Sequence, residues 1–303
     1  MTSAHNHNIA AGTPAAEVAV DAGLVRALLA EQHPDLAGLP VQEFAAGWDN
    51  AMFRLGGNLV VRLPRRAAAA DLIAHEQAWL PQLAAHLPLP IPAPLRTGVP
   101  GGGFPWRWSV LPWLHGEAAD LHPPAEAQAA PLGAFLRALH RPAPANAPTN
   151  PVRGGPLQDR AGPTAVRIDR LSQTTTHITP ALLALWQAAL AAPIDAAPGW
   201  LHGDLHTRNI LVEKGRISGI IDWGDITAGD PATDLSVLWM LFGSVAARQA
   251  ALRAYGPVSA ATLLRARGWA LAFGLILLDS GIVDNPRNAA LGAQTLRRVA
   301  EPG

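Results

Sequence analysis

The sequence predicts an α+β chain folded in two lobes, and three observations carry that expectation. Short β-like runs crowd residues 41–63, helical patterns dominate after residue 125, and a strand pair is inserted at residues 200–223. Strands first and helices later, spread over 303 residues, is more than one hydrophobic core usually holds. The lobe boundary is expected near Leu111–His115, which gives a flexible tail over 1–20, a first lobe over 21–112 and a second over 113–303.

The elements follow in order. Residues 1–20 are polar and Ala-rich; His5 and His7 there lack the carboxylate or Cys neighbours of a metal site. Asp21 is placed to cap a helix through Glu31 that shows Leu24, Leu28 and Leu29 on one face. Three short strands then suit a meander, with turns at Gly47-Trp48-Asp49-Asn50 and Gly56-Gly57-Asn58. Ala67–His86 is helical by composition and is ended by the prolines between 88 and 94. Trp106–Leu114 reads as a strand that runs into a Pro-marked turn. Helices are expected over Ala125–His140 and Pro180–Ala192, separated by a long Pro-, Gly- and Asn-rich loop over Arg141–Pro163. From Asp230 onward the chain is helical, punctuated at Gly256-Pro257 and Asn285-Pro286.

Composition excludes several classes. Lys+Arg and Asp+Glu are 23 each, so there is no surplus of cations for a general nucleic-acid binder. With no cysteine, thiolate chemistry and disulfides are absent. The apolar run Trp269–Leu278 has ten residues, too few to span a bilayer, and is expected to be a buried core helix. The N-terminus shows neither basic nor apolar signal regions, so a soluble cytoplasmic protein without membrane or nucleic-acid partners is expected. Lys214 is the single lysine, which leaves lysine-dependent chemistry one candidate. None of these features sets the oligomeric state.

The chemistry concentrates in LHGDLHTRNILVEKGRISGIIDWGD, residues 201–225. Asp204 precedes Asn209 by five residues, and Asp222 follows Asp204 by 18 at the end of a second apolar run. A hairpin through Lys214-Gly215 would bring both carboxylates to one mouth. Phosphoryl transfer suits such a set, because it needs positioning and charge neutralisation more than covalent chemistry. One Asp can accept a hydroxyl proton while Asn209 and Asp222 hold Mg²⁺, which prefers a few hard oxygen ligands. Asp and Asn in turns between strands usually only close the turn, but this fixed combination is rare by chance.

His202-Gly203-Asp204-Leu205-His206-Thr207-Arg208-Asn209 resembles the catalytic loop of the aminoglycoside phosphotransferase and choline kinase group, of which macrolide phosphotransferases are relatives. Ile221-Asp222-Trp223 resembles that group's metal-binding motif. The resemblance covers Val41 to about Leu241 and implies a bilobal protein-kinase-like fold, with ATP or GTP as phosphate donor bound between the lobes. By that resemblance Asp204 is the catalytic base and Asn209 and Asp222 are the Mg²⁺ ligands. His202, Asp230 and Asp234 support the catalytic loop; Asp230 can also cap a helix. In the first lobe Asn50 belongs to the turn over the nucleotide phosphates. Arg62 stands where the family usually has lysine, with Glu76 as its natural ion-pair partner, and a plain surface pair is the alternative. Val110, Leu111 and Trp113 form the backbone hinge that reads the purine, where Pro112 removes one donor.

The acceptor is a small molecule, and charge bears on its class. From Ile226 to Gly303 five acids (Asp230, Asp234, Asp279, Asp284, Glu301) face seven arginines, so no acidic wall for a polycation is evident. Asp279 and Asp284 are the candidates for holding a substrate amine. Trp186, Trp239, Trp269 and Phe273 read as core packing, with an aromatic pocket for a bulkier acceptor such as a macrolide as the alternative. Three functions follow: an O-phosphotransferase acting on an antibiotic-like acceptor, a housekeeping small-metabolite kinase of the same fold, or a kinase-like nucleotide-binding protein without transfer.

Overall fold

The computed structural model describes residues 15–46 and 49–301. Two compact units result, one comprising residues up to Trp79 with Ala93–Trp113, the other Leu80–Pro92 with Leu114 onward.

The first unit opens on α1 (Ala22–Gln32), whose start is fixed by Asp21 Oδ1 accepting from Leu24 N at 2.8 Å. Val25, Leu28 and Leu29 form its buried face; Leu24, expected there, is only half-buried. The meander is β1 (Val41–Ala46), β2 (Asn50–Leu55) and β3 (Leu59–Pro64), antiparallel throughout. After α2 (Ala67–Ala84) come β4 (Arg96–Gly98) and β5 (Trp108–Pro112), giving a five-stranded sheet in the order β1-β2-β3-β5-β4. Three-residue β4 left too short a pattern to be read from sequence. The sheet packs Phe53, Leu55, Val61, Leu63, Trp108 and Val110 against α1, and a core of this kind is what orders the meander. Residues 1–14 of the expected flexible tail lie outside the described residues. From Glu17 onward the chain is tied in: Glu17 N donates to Arg65 O at 2.9 Å, and its carboxylate accepts from Ala67 N at the start of α2.

The division between the units falls within α2, so Leu80–Pro92 belongs with the second unit, where Pro90 O accepts from Ile220 N at 2.9 Å. That unit adds β6 (Glu117–Ala118), α3 (Ala129–Leu139), α4 (Ala161–Thr174) and α5 (Pro180–Ala191). Helix α4 was expected as loop only as far as Pro163; its Gly162 and Pro163 read as breakers, yet Pro in the first turn is compatible with a helix. Next come β7 (Gly199–Leu201), β8 (Ile210–Glu213), β9 (Arg216–Ile220) and β10 (Thr227–Gly229). They form two small sheets, β6-β8-β9 and β7-β10. The chain closes on α6 (Ala232–Leu235), α7 (Val237–Leu241), α8 (Val245–Tyr255), α9 (Ala260–Asp284) and α10 (Pro286–Ala300).

Helix α9 is long and apolar enough to cross a membrane, but 67% of its most apolar window is buried inside the protein, as expected of a core helix. Trp186, Trp239, Trp269 and Phe273 are all buried, which supports core packing for them. Arg265 of α9 is buried as well and grips Asp230 with Nε and Nη2 at 2.7 and 3.0 Å. Removing one partner of such a pair leaves an uncompensated buried charge, which costs about 3–5 kcal/mol. Arg265→Ala is therefore expected to lower the urea midpoint sharply, and an unchanged midpoint would show that the pair contributes nothing.

Candidate active site

The catalytic-loop candidates are assembled entirely within the second unit. Strands β8 and β9 form a hairpin whose two-residue turn, Lys214-Gly215, has positive φ at both positions (51° and 77°), the geometry that matches strand twist. Pairing of Ile210 with Ile220 then puts Asn209 and Ile221 side by side, and Ile221 N donates to Asn209 O at 2.9 Å. His202 is fully buried and ties the two motifs: its Nε2 lies 2.9 Å from Ile221 O, and its Nδ1 accepts from Asp204 N at 3.3 Å. Trp223 locks the second motif from beneath, donating Nε1–H to Ile220 O at 2.9 Å with its ring 4.7 Å from that of His202.

The loop is held by Asp234, which is inaccessible to solvent. Its two oxygens accept from His202 N at 2.7 Å and Gly203 N at 2.9 Å. His140 Nε2 lies 3.4 Å from the same carboxylate, and Tyr255 Oη holds the other ring nitrogen at 3.0 Å. Asp230 accepts from Ala232 N at 3.2 Å besides its pair with Arg265. Gly203 sits at φ 86°, and a Cβ there would lie 2.4 Å from Asp225 O, so both backbone and space require glycine. Gly203→Ala should displace the loop; a displacement of about 1 Å costs about 100-fold in kcat, and wild-type kcat in this variant would contradict the packing.

Asp204 itself is partly buried and bounded by Arg153 and His206. Arg153 Nη2 lies 2.7 Å from Oδ1 and His206 Nε2 lies 3.4 Å from Oδ2. Burial pushes its carboxyl up, but His206 and Arg153 together outweigh burial and hold it well below the usual carboxylate range. Asp225 behaves oppositely: burial and the neighbouring Asp204 charge raise it, against a 2.6 Å hydrogen bond from Asn150 Nδ2. Arg153 and Asn150 come from the long loop after α3. That loop's composition suggested function, but nothing in it singled out Arg153.

Asn209 is buried and donates Nδ2–H to Asp204 O at 2.9 Å, which leaves its Oδ1 as the group able to ligate. Asp222 adopts φ 64°, a left-handed conformation that Asp tolerates better than most residues. The donor chemistry, one amide oxygen and one carboxylate, fits a hard cation that keeps most of its waters. Among the described residues no group of three or more His, Cys, Asp or Glu forms a denser metal site.

In the first unit Arg62 and Glu76 are a buried pair at 2.8 Å rather than a surface one. The Asn50 amide, turned with its oxygen toward the guanidinium, accepts from Arg62 Nε at 3.2 Å and Nη2 at 2.9 Å. Gly47 and Trp48 of the expected phosphate turn lie outside the described residues. The hinge expectation needs correcting in one respect. Trp113 N–H is donated to Asn58 O at 2.7 Å, and Val110 and Leu111 are paired in the sheet with Val61 and Val60. The Trp113 side chain is instead stacked under Arg54, whose guanidinium carbon is 3.8 Å from the ring centroid, and against Phe44.

The substrate-amine candidates also change. Asp279 is gripped by both Nε (2.7 Å) and Nη2 of Arg170, with Arg167 Nε at 3.6 Å, so its charge is already neutralised. Asp284 is exposed at the last residue of α9.

The sequence pattern of the Phosphotransferase enzyme family (APH) matches residues 40–269, and the chain belongs to that family. The uncharacterized protein YcbJ of Bacillus subtilis (strain 168) is 28% identical over 210 residues, 61% of this chain and 63% of the relative's length. Among solved structures, the GDP complex of wild-type aminoglycoside 2'-phosphotransferase-IIIa is similar with a TM-score of 0.65 and 19% identity, covering 91% of this chain and 97% of that one. Macrolide 2'-phosphotransferase MphH from Brachybacterium faecium is similar with a TM-score of 0.61 and 24% identity, covering 90% and 97%. These likenesses share the fold, a mixed α+β protein-kinase-like architecture.

Proposed function

We propose that the protein transfers the γ-phosphate of ATP or GTP to a hydroxyl of a small molecule, with Asp204 as general base and Mg²⁺ held by Asn209 and Asp222. The observation that carries this reading is the joint placement of Asp204, Asn209 and the Ile221-Asp222-Trp223 turn by His202 and Asp234. In the proposed reaction the acceptor hydroxyl gives its proton to Asp204, and its oxygen forms a bond to the γ-phosphorus. The bond from that phosphorus to the bridging oxygen breaks, and the nucleoside diphosphate leaves. Mg²⁺, when bound, neutralises charge on the phosphates. Asp204 stays ionised under ordinary conditions because His206 and Arg153 hold its proton affinity down, so it acts as an oriented acceptor rather than a strong base.

The named solved relatives are aminoglycoside and macrolide phosphotransferases, and an antibiotic-like acceptor is one extension of that similarity. The engaged Asp279 speaks against a polycation, since each unpaired buried ammonium costs about several kcal/mol. The non-catalytic reading is disfavoured by the intact loop. Acceptor-dependent release of ADP or GDP by the purified chain, measured with kanamycin-like, macrolide and amino-alcohol compounds, tests the proposal. Release stimulated by none of a broad hydroxyl panel would overturn it.

A further inference from the structure

One carboxylate oxygen of Asp204 is covered by an arginine. Arg153 bonds Asp204 Oδ1 at 2.7 Å, and its guanidinium carbon lies 4.8 Å from the centre of the Phe273 ring. Its buried Nε–H has no hydrogen-bond partner among the described residues. The indole Nε1–H of Trp269, whose ring is 6.1 Å from that of Phe273, is likewise buried without a partner. Two orphan donors therefore flank Phe273, and an unsatisfied buried donor costs about 1–3 kcal/mol until an acceptor reaches it.

Arg160, half-buried just before α4, has no side-chain hydrogen bond or ion pair among the described residues and lies close enough to Arg153 and Arg167 for mutual repulsion. Arg167 and Arg170 continue the same face of α4, about two and three turns on, and share Asp279. Four arginines thus converge here, while the acids among them are Asp204, Asp225, Asp279 and the exposed Asp159; burial and the Asp204 charge raise the Asp225 carboxyl. Polycations gain nothing from such a surface.

We propose that the acceptor is a hydroxyl compound carrying an oxyanion group, a carboxylate or phosphate, and that Arg153 is the residue that selects it. The inference rests on the phosphotransferase reading above. In the free protein Arg153 occupies the carboxylate oxygen that an acceptor hydroxyl needs. An oxyanion on the acceptor competes for the guanidinium, takes up its unpartnered Nε–H, and releases Asp204 toward the hydroxyl. Guanidinium suits this exchange because its fork can hold two oxygens at once. A neutral or cationic acceptor offers no such exchange and leaves the Arg153–Asp204 pair closed.

The test uses the full chain with Mg²⁺ and ATP or GTP, and four acceptor sets at fixed salt: hydroxy-carboxylates, sugar phosphates, neutral polyols and kanamycin-like polycations. Wild-type protein should favour one oxyanion set over the neutral and cationic sets by at least about tenfold in kcat/KM, the scale of one charge-assisted contact. The two oxyanion sets separate carboxylate from phosphate. Arg153→Met, which keeps contact with Phe273, should lose that preference chiefly through KM and should gain on neutral or cationic acceptors. A misfolded variant would lose on every set, so the opposite signs distinguish selection from damage; Arg160→Gln gives a second variant with the same expected signs. Equal or better turnover of polycations by wild-type protein, or an unchanged order of preference in both variants, would overturn the proposal. If no set is phosphorylated while Asp222-dependent nucleotide binding is also absent, the phosphotransferase reading itself falls, and this inference with it.

Discussion

Asp204→Asn is expected to lower kcat by about 10²–10⁴-fold, the range lost with general-base catalysis, while leaving nucleotide affinity within a few-fold of wild type. Asparagine keeps the shape of the side chain, and the Asp204 backbone contacts with His202 and Asn209 do not depend on its charge. What disappears is the anionic oxygen that accepts the proton. The amide also cannot form an ion pair with Arg153. Stopped-time product analysis and nucleotide titration on the same preparation check both halves. A variant with undiminished kcat would remove Asp204 from the chemistry.

Asp222→Ala should abolish both turnover and Mg²⁺-dependent nucleotide binding, the second of which separates it from Asp204→Asn. The chain holds Asp222 in a left-handed conformation between two anchored neighbours, Ile221 on Asn209 O and the buried Trp223. Residues kept in sparsely populated backbone regions cost about 1–3 kcal/mol and persist where the surroundings impose them. Alanine relieves none of that strain and removes the carboxylate. Calorimetric titration with nucleotide, with and without Mg²⁺, should show the metal-dependent component vanish. Retention of wild-type affinity would mean that the metal is held by other groups.

The fold and the catalytic loop were legible because their signals are local. Alternating strands around Lys214-Gly215 fixed the hairpin, the hairpin fixed the neighbourhood of Asn209 and Ile221, and the family resemblance pointed to Asp234 as a support. The family resemblance supplied the roles. What stayed hidden arises from contacts distant in sequence. Arg153 reaches Asp204 across 51 residues, Arg170 reaches Asp279 across 109, and no periodicity encodes either. Asp279 looked like a free acid because its partners lie on α4, a helix masked by Gly162 and Pro163. Trp113 looked like a hinge donor because Asn58, which takes its N–H, is 55 residues earlier in the chain. Charge tallies count residues, and the site is set by which charges are already paired.

Phosphorus-31 NMR of the purified chain with Mg²⁺, ATP or GTP, and a hydroxyl acceptor tests the central claim most directly. The account predicts that a phosphate monoester of the acceptor appears in step with nucleoside diphosphate, and that neither signal grows with Asp204→Asn. Formation of diphosphate and inorganic phosphate alone across the whole acceptor panel, or monoester formed equally well by Asp204→Asn, would contradict it.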